Sequence, residues 1–355
     1  MKIWILTLLC AASLSAADQD AWSKPAAAYL DGRAAWWMTW PQSARDHDTF
    51  CISCHTALPY AIGRPALRAA LGEQGPSANE RKLAENVAKR VHMWNEVKPF
   101  YPDNPKDAAK TAESRGTESI LNALILTRYD APSGKLSGDA RLALDNMWAE
   151  QLKAGDAAGA WSWLQFHNSP WEGDSQYWGT TLAAIAVGSA PADYRSSPKI
   201  REGLDAMRGY LARERQSQIL IDRMFLLWAA TKLPGILTKE QQQSIINEAL
   251  GKQQEDGGFS LSAFVGGWKR RDNTPLETKS DGFATGVVAF VLREAGVPRD
   301  RPELERALTW LATHQDRTEG RWLAYSLNKQ RDLGSDVGKF MSDAATAYAA
   351  LALSK

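Results

Sequence analysis

The sequence predicts an all-α chain folded as an α/α toroid. Three observations predict it. From about residue 79 onward apolar residues recur at spacings of three to four. The connections between these runs are rich in Gly, Pro, Asp and Ser. Helices that are small or apolar on all sides alternate with helices that carry a charged face. No strand ladder is evident. Ten such helices in antiparallel hairpins make a solenoid or a closed ring, and the segments resemble one another, as repeats do. The alternation points to the ring, because an inner layer is covered on one face and crowds around the axis on the other.

The chain has 355 residues, 44% apolar and 23% charged, with 26 Gly, 16 Pro, 15 Trp and 3 Cys. This profile belongs to a globular protein with a substantial core and excludes wholesale disorder, a collagen-like chain and a disulfide-stapled miniprotein. Fifteen Trp need a deep core, a lined cavity or a flat cofactor to pack against. Lys and Arg number 42 against 41 Asp and Glu, so no global field attracts nucleic acid or an anionic membrane. The run Trp268-Lys269-Arg270-Arg271 reads as a solvated loop between ring elements.

In chain order, the first element is a leader. Met1 and Lys2 precede an apolar stretch from Ile3 to Leu14 and the small residues Ser15, Ala16 and Ala17, which is the pattern of a signal peptide. Three segments follow from it: a leader over 1–17, an N-terminal segment over 18–78, and the ring over 79–355. No later stretch reaches the ~18 to 20 apolar residues that span a bilayer, so no transmembrane segment is expected in the mature chain. The expected location is the periplasm. Removing Lys2 and Cys10 leaves 41 basic residues, 41 acidic residues and two cysteines.

Those two cysteines lie in the second segment, in Cys51-Ile52-Ser53-Cys54-His55. A C-x-x-C-H run in an exported chain is the spacing by which two thiols add to haem vinyl groups while the next residue reaches the iron. It predicts one covalent haem c held by Cys51 and Cys54, with His55 as proximal ligand. A thiol redox pair and a zinc site compete with this reading. Zinc needs further soft ligands that the mature chain lacks, and a redox motif needs a βαβ context that is not evident. Candidates for the sixth iron position are His92, with His47 and Met93 as alternatives; His92 and Met93 end a probable helix, which gives positional rigidity. Trp36, Trp37, Trp40, Phe50 and Tyr60 surround the motif and can wall a haem pocket or pack the segment onto the ring.

The ring follows. Residues 79–94, 117–129, 138–153, 176–188 and 199–213 read as its first helices, then 217–231, 238–252, 282–295, 301–314 and 340–353. Four of these are small or apolar all round and read as inner: those that begin near Glu118, Tyr177, Asp281 and Asp343. The helix from Arg301 to His314 carries Glu303, Glu305 and Arg306 on one side and reads as outer.

The segment from Arg306 through Trp310 and Gln315 to Gly320-Arg321-Trp322 resembles the QW repeat of squalene-hopene cyclases and related terpene cyclase or prenyltransferase toroids. Two degenerate copies accompany it, Gln254 to Gly257-Gly258-Phe259 and Gln151 to Gly159-Ala160-Trp161. The resemblance covers roughly residues 115–355. It implies the toroid, and it implies that Gln315, Gln254 and Gln151 cap helix ends near Trp322, Phe259 and Trp161. Orphan backbone groups at helix termini need such partners in any case. The cyclase chemistry departs from the pattern. The nearest match to its Asp-x-Asp-Asp-Thr-Ala motif is Ser342-Asp343-Ala344-Ala345-Thr346-Ala347, where Ala344 replaces the proton-donating acid.

Acids at the starts of inner helices, Glu118, Asp174, Asp281 and Asp343, either cap those helices or line a cavity with Tyr177, Trp178 and Tyr348. The function expected is a periplasmic monohaem c-type oxidoreductase that exchanges electrons with a periplasmic donor or acceptor. A small or hydrophobic organic substrate would occupy the toroid cavity. The alternatives are an electron-transfer protein whose toroid docks a partner, and a terpene cyclase-like enzyme without the usual acid motif.

Overall fold

The computed structural model describes residues 16–171 and 176–354. Residues 1–15 of the leader, and Asp174, lie outside the described residues. Six outer-to-inner helical hairpins make the body. The first pairs α1 (Ala16–Thr39) with α2 (Ala57–Leu71), and the second α3 (Ala78–His92) with α4 (Lys110–Asp130). The third pairs α5 (Gly138–Ala149) with α6 (Tyr177–Ser189); a four-residue helix, α7 (Ala192–Arg195), then leads to α8 (Arg201–Glu214) and α9 (Leu220–Lys232). The last two are α10 (Lys239–Leu250) with α11 (Gly282–Glu294), and α12 (Pro302–Thr313) with α13 (Phe340–Leu353).

The inner helices pack in a closed circuit. α2 touches α4, α4 touches α6, and the chain of contacts runs on through α9, α11 and α13 back to α2. An α/α toroid results. Because each inner helix is entered from an outer one, all six inner N-termini lie at one mouth.

Local chemistry explains the helices. Ser77 with Glu80, and Thr238 with Gln241, form reciprocal capping boxes at α3 and α10, which satisfy N–H groups that a helix start otherwise orphans. All ten helices read from the sequence are present. α4 starts earlier than expected, at Lys110, because its polar first turns are anchored from outside: Lys110 Nζ donates to the Gln165 carbonyl at 2.9 Å. α2 escaped the periodicity reading, since Pro65 lies inside it. Its neighbour demands a small residue: a Cβ on Gly63 would stand 2.8 Å from Ala347 Cβ, so only glycine lets α2 approach α13 this closely. The same holds where α11 meets α13, at Gly286 against Ala349.

The ring axis is filled, not open. Phe225, Trp228, Phe283 and Phe290 pack around Tyr348 with centroids 5.7 to 6.4 Å apart, mostly edge to face, as aromatic quadrupoles prefer. The basic run differs from its expectation in one residue. Arg270 is buried, donating to the carbonyls of Ser326 and Pro275 and pairing with Glu277, because three acceptors compensate its desolvation. No helix among the described residues is long and apolar enough to cross a membrane.

Candidate functional site

The Cys51-x-x-Cys54-His55 run sits at the mouth, between the antiparallel pair β1 (Ala44–Arg45) and β2 (Thr49–Phe50) and the start of α2. Several partners fix its backbone. Cys51 N donates to Ser43 O at 2.8 Å, and Trp37 Nε1 donates to Cys51 O at 2.7 Å. Asn86 on α3 clamps Phe50 through both its N–H and its carbonyl. Ser53 Oγ accepts from the backbone N–H groups of Thr56 and Ala57, so a residue inside the motif caps α2. Both thiols are buried and outside any disulfide.

His55 is buried at the centre of an aromatic box. Phe340 stacks on it at 3.7 Å between centroids, Trp37 meets it edge-on at 5.0 Å, and Trp171 at 5.6 Å. Burial pushes the imidazole down to about 3, with the charges of Arg33 and Arg331 adding to it, so the ring is neutral. Its tautomer follows from its partners. Asp343 accepts from Tyr29 at 2.7 Å, from Arg33 at 2.8 Å and from the Thr56 hydroxyl at 2.7 Å. The Thr56 proton being committed to Asp343, Thr56 Oγ1 accepts from His55 Nδ1 at 3.0 Å. Nε2 is left unprotonated, the form that ligates iron.

A cavity of about 200 Å³ adjoins His55. Trp37, Trp40, Trp171 and Phe340 wall it, and Met341 contributes a thioether. Arg45 and Arg331 also line it, with no carboxylate at ion-pair distance from either among the described residues, and Arg45 Nε is buried without a hydrogen-bond partner. The donor set fits haem c: two thiols and a neutral imidazole, aromatic walls for a flat ring, and two guanidinium groups of the charge that haem propionates require.

The candidates for the sixth position stand elsewhere. His92 is exposed and bonds Asp139 at 2.8 Å, Met93 caps the end of α3, and His47 lies half-exposed at positive φ in the β1–β2 turn. None of the three lines the cavity beside His55. The acids at inner-helix starts have structural partners. Glu118 is paired with Arg90, both fully buried. Asp281 caps α11 through Phe283 N and Ala284 N and also accepts from Leu261 N. Asp343 ties α1 to α13 and to Thr56. Tyr177 donates to Leu211 O at 2.9 Å, and Tyr348 is buried in the axial aromatic cluster. Of that group, Trp178 alone lines one of the described cavities at the mouth.

Met341, Phe340, Trp171 and Arg331 went unnoticed in the sequence because they reach His55 from chain segments more than 100 residues away; only the fold brings them together. The glutamine caps repeat around the ring. Gln151 Nε2 donates to Gly159 O and Gly203 O, Gln253 to Gly257 O and Glu303 O, and Gln315 to Gly320 O and Trp22 O. Each links one outer helix to the next. In the second copy this is Gln253, not Gln254, whose side chain instead bonds Thr278 O and Ser280.

No protein-family model matches the chain, and no curated protein matches it. Among solved structures it is similar to a glycosidase variant in complex with glucose, with a TM-score of 0.54 and 13% identity over 97% of this chain and 100% of that one. Two further glycosidase variants align with TM-scores of 0.51 and 0.52, each at 12% identity over 96% of this chain and 98% of theirs. At this identity the likeness concerns the fold, an all-α toroid.

Proposed function

We propose that the chain is an exported, periplasmic monohaem c-type oxidoreductase whose haem sits in the mouth of the toroid. The observation that carries the reading is the state of His55: within a C-x-x-C-H run, Thr56, whose hydroxyl is committed to Asp343, accepts its Nδ1–H and leaves Nε2 unprotonated on a ring that lines an aromatic-walled cavity. A haem held there would supply one-electron exchange or chemistry with oxygen or peroxide. Cys51 and Cys54 would anchor it covalently, and Arg45 and Arg331 would hold its propionates. Trp37, Trp171 and Phe340 exclude water from the ligating imidazole.

Met341 supports a second reading, that of an electron-transfer protein, because its buried thioether lines the same cavity and would be available to the iron of a haem held there. One experiment tests both. The protein is produced in a host that matures c-type cytochromes, and its spectrum is recorded oxidised, reduced and with carbon monoxide or peroxide. Haem that survives acid-acetone extraction in the native chain, and is lost from a Cys51→Ser/Cys54→Ser variant, is the expected result. Ligand-induced shifts favour the enzyme, and an inert six-coordinate iron favours electron transfer. A colourless protein sinks both.

A further inference from the structure

A second cavity, of about 390 Å³, lies beside the first. A short wall divides them: Asn168 and Trp171 line the cavity of His55, while Ser169 and Pro170 line this one. At its edge stands Asp222, in the first turn of α9, 5% exposed, with no hydrogen bond or ion pair among the described residues. A carboxyl at this depth is costly unless a ligand satisfies it. Burial alone pushes it up to about 7, and no neighbouring cation pulls it back.

The remaining lining decides the ligand's chemistry. Among the described residues no Lys or Arg lines the cavity, so a phosphate or carboxylate would lack its counter-charge. The other acid among the described lining residues, Glu214, already accepts from Arg213 Nε at 3.0 Å, which lessens the demand for an organic cation. Gln176 and Ser169 bring an amide and a hydroxyl that both donate and accept, and Gln218 and Ser217, whose protons are committed to Glu214 O and to each other, add to a lining too polar for a lipid or hydrocarbon. Trp178, Tyr210 and Trp268 add aromatic lining, and the half-buried Trp268, stacked on His167 on one side, suits polarised C–H groups on the other.

We propose that this cavity binds a neutral polyhydroxylated compound of sugar or polyol type. Its hydroxyls satisfy Asp222 and bond the Gln176 amide, and its C–H face packs on Trp268. That the compound is also the substrate of the iron rests on the oxidoreductase reading above; its binding does not.

Calorimetric titration of the haem-loaded full chain tests this, with glucose, maltose, glycerol and inositol as probes and choline as the cationic control. At least one polyhydroxylated probe should bind, and Trp268→Ala and Asp222→Ala should each weaken it by about tenfold or more while circular dichroism stays native. Should Asp222→Ala fail to fold, the half-buried Trp268 carries the test. Silence from all four probes, tighter binding of choline, or binding indifferent to the substitution overturns the proposal. A normal haem spectrum without polyol binding removes this site alone, whereas polyol binding to a haem-free chain removes the oxidoreductase reading and leaves the site.

Discussion

Gln315 Nε2 donates to the Trp22 carbonyl at 3.0 Å, across 293 residues of sequence, and so links the last outer helix to the first. The same side chain also donates to Gly320 O at 3.0 Å. One buried amide therefore fixes a turn and closes the outer layer, while α13 against α2 closes the inner one.

Gln315→Ala should destabilise the chain by about 2 kcal/mol, since two buried carbonyls lose their donor. Gln151→Ala and Gln253→Ala act on other junctions, and their effects should add to it. Denaturant midpoints of the single and triple variants check this. A null effect for Gln315 would mean that the junction does not depend on it.

Much of the ring was legible because inner and outer helices obey different rules. α11 and α13 are small or apolar on every side, and α12 has one charged face; burial on all sides requires the first pattern and a solvent boundary the second. α2 was not legible, since Pro65 breaks the periodic pattern and the reason the helix persists is Ala347 on α13. The thiols and His55 could be read from spacing alone. Their setting could not: Asp343 carries no mark in the sequence of its link to Thr56, and Asp222, an acid in the apolar start of α9, gives no sign that it lacks a partner.

Arg90 and Glu118 form a fully buried pair, and Arg90 also donates to Thr49 at 2.7 Å, two residues before Cys51 of the Cys-x-x-Cys-His run. Burial drives the Glu118 carboxyl up, against the pull of Arg90. Arg90→Leu should cost about 3–5 kcal/mol by stranding that carboxyl, and adding Glu118→Leu should restore most of the loss. Thermal denaturation of the three proteins decides it; a double variant as unstable as the single one would show that the charge is not the cause.

Thr56 couples His55 to Asp343, so in the proposed haem-loaded protein its hydroxyl should tune the iron through the imidazole. A hydrogen bond from Nδ1–H gives the ring anionic character and favours ferric iron. Thr56→Val removes the acceptor and should raise the reduction potential by ~40 mV, the equivalent of ~1 kcal/mol for one electron. Thr56→Ser should hold the native value. Spectroelectrochemical titration reads both, and equal potentials in all three proteins would exclude the coupling.

Asp222 should make stability fall as the pH rises. Its pKa in the folded chain is raised from 3.8 to about 7, so between those values the folded state keeps a proton that the unfolded state has released. The stabilisation tied to that proton is greatest toward pH 4 and is lost as the pH climbs through 7. Each pKa unit is worth about 1.4 kcal/mol, so the group's contribution spans at most about 4.5 kcal/mol across the window. Asp222→Asn cannot release the proton and should lose this slope. Its stability relative to the native chain should therefore rise between pH 5 and pH 8, with other titrating groups cancelling in the difference. Urea denaturation at both pH values measures the gap; a constant gap would mean that Asp222 has a solvent or side-chain partner that keeps it charged.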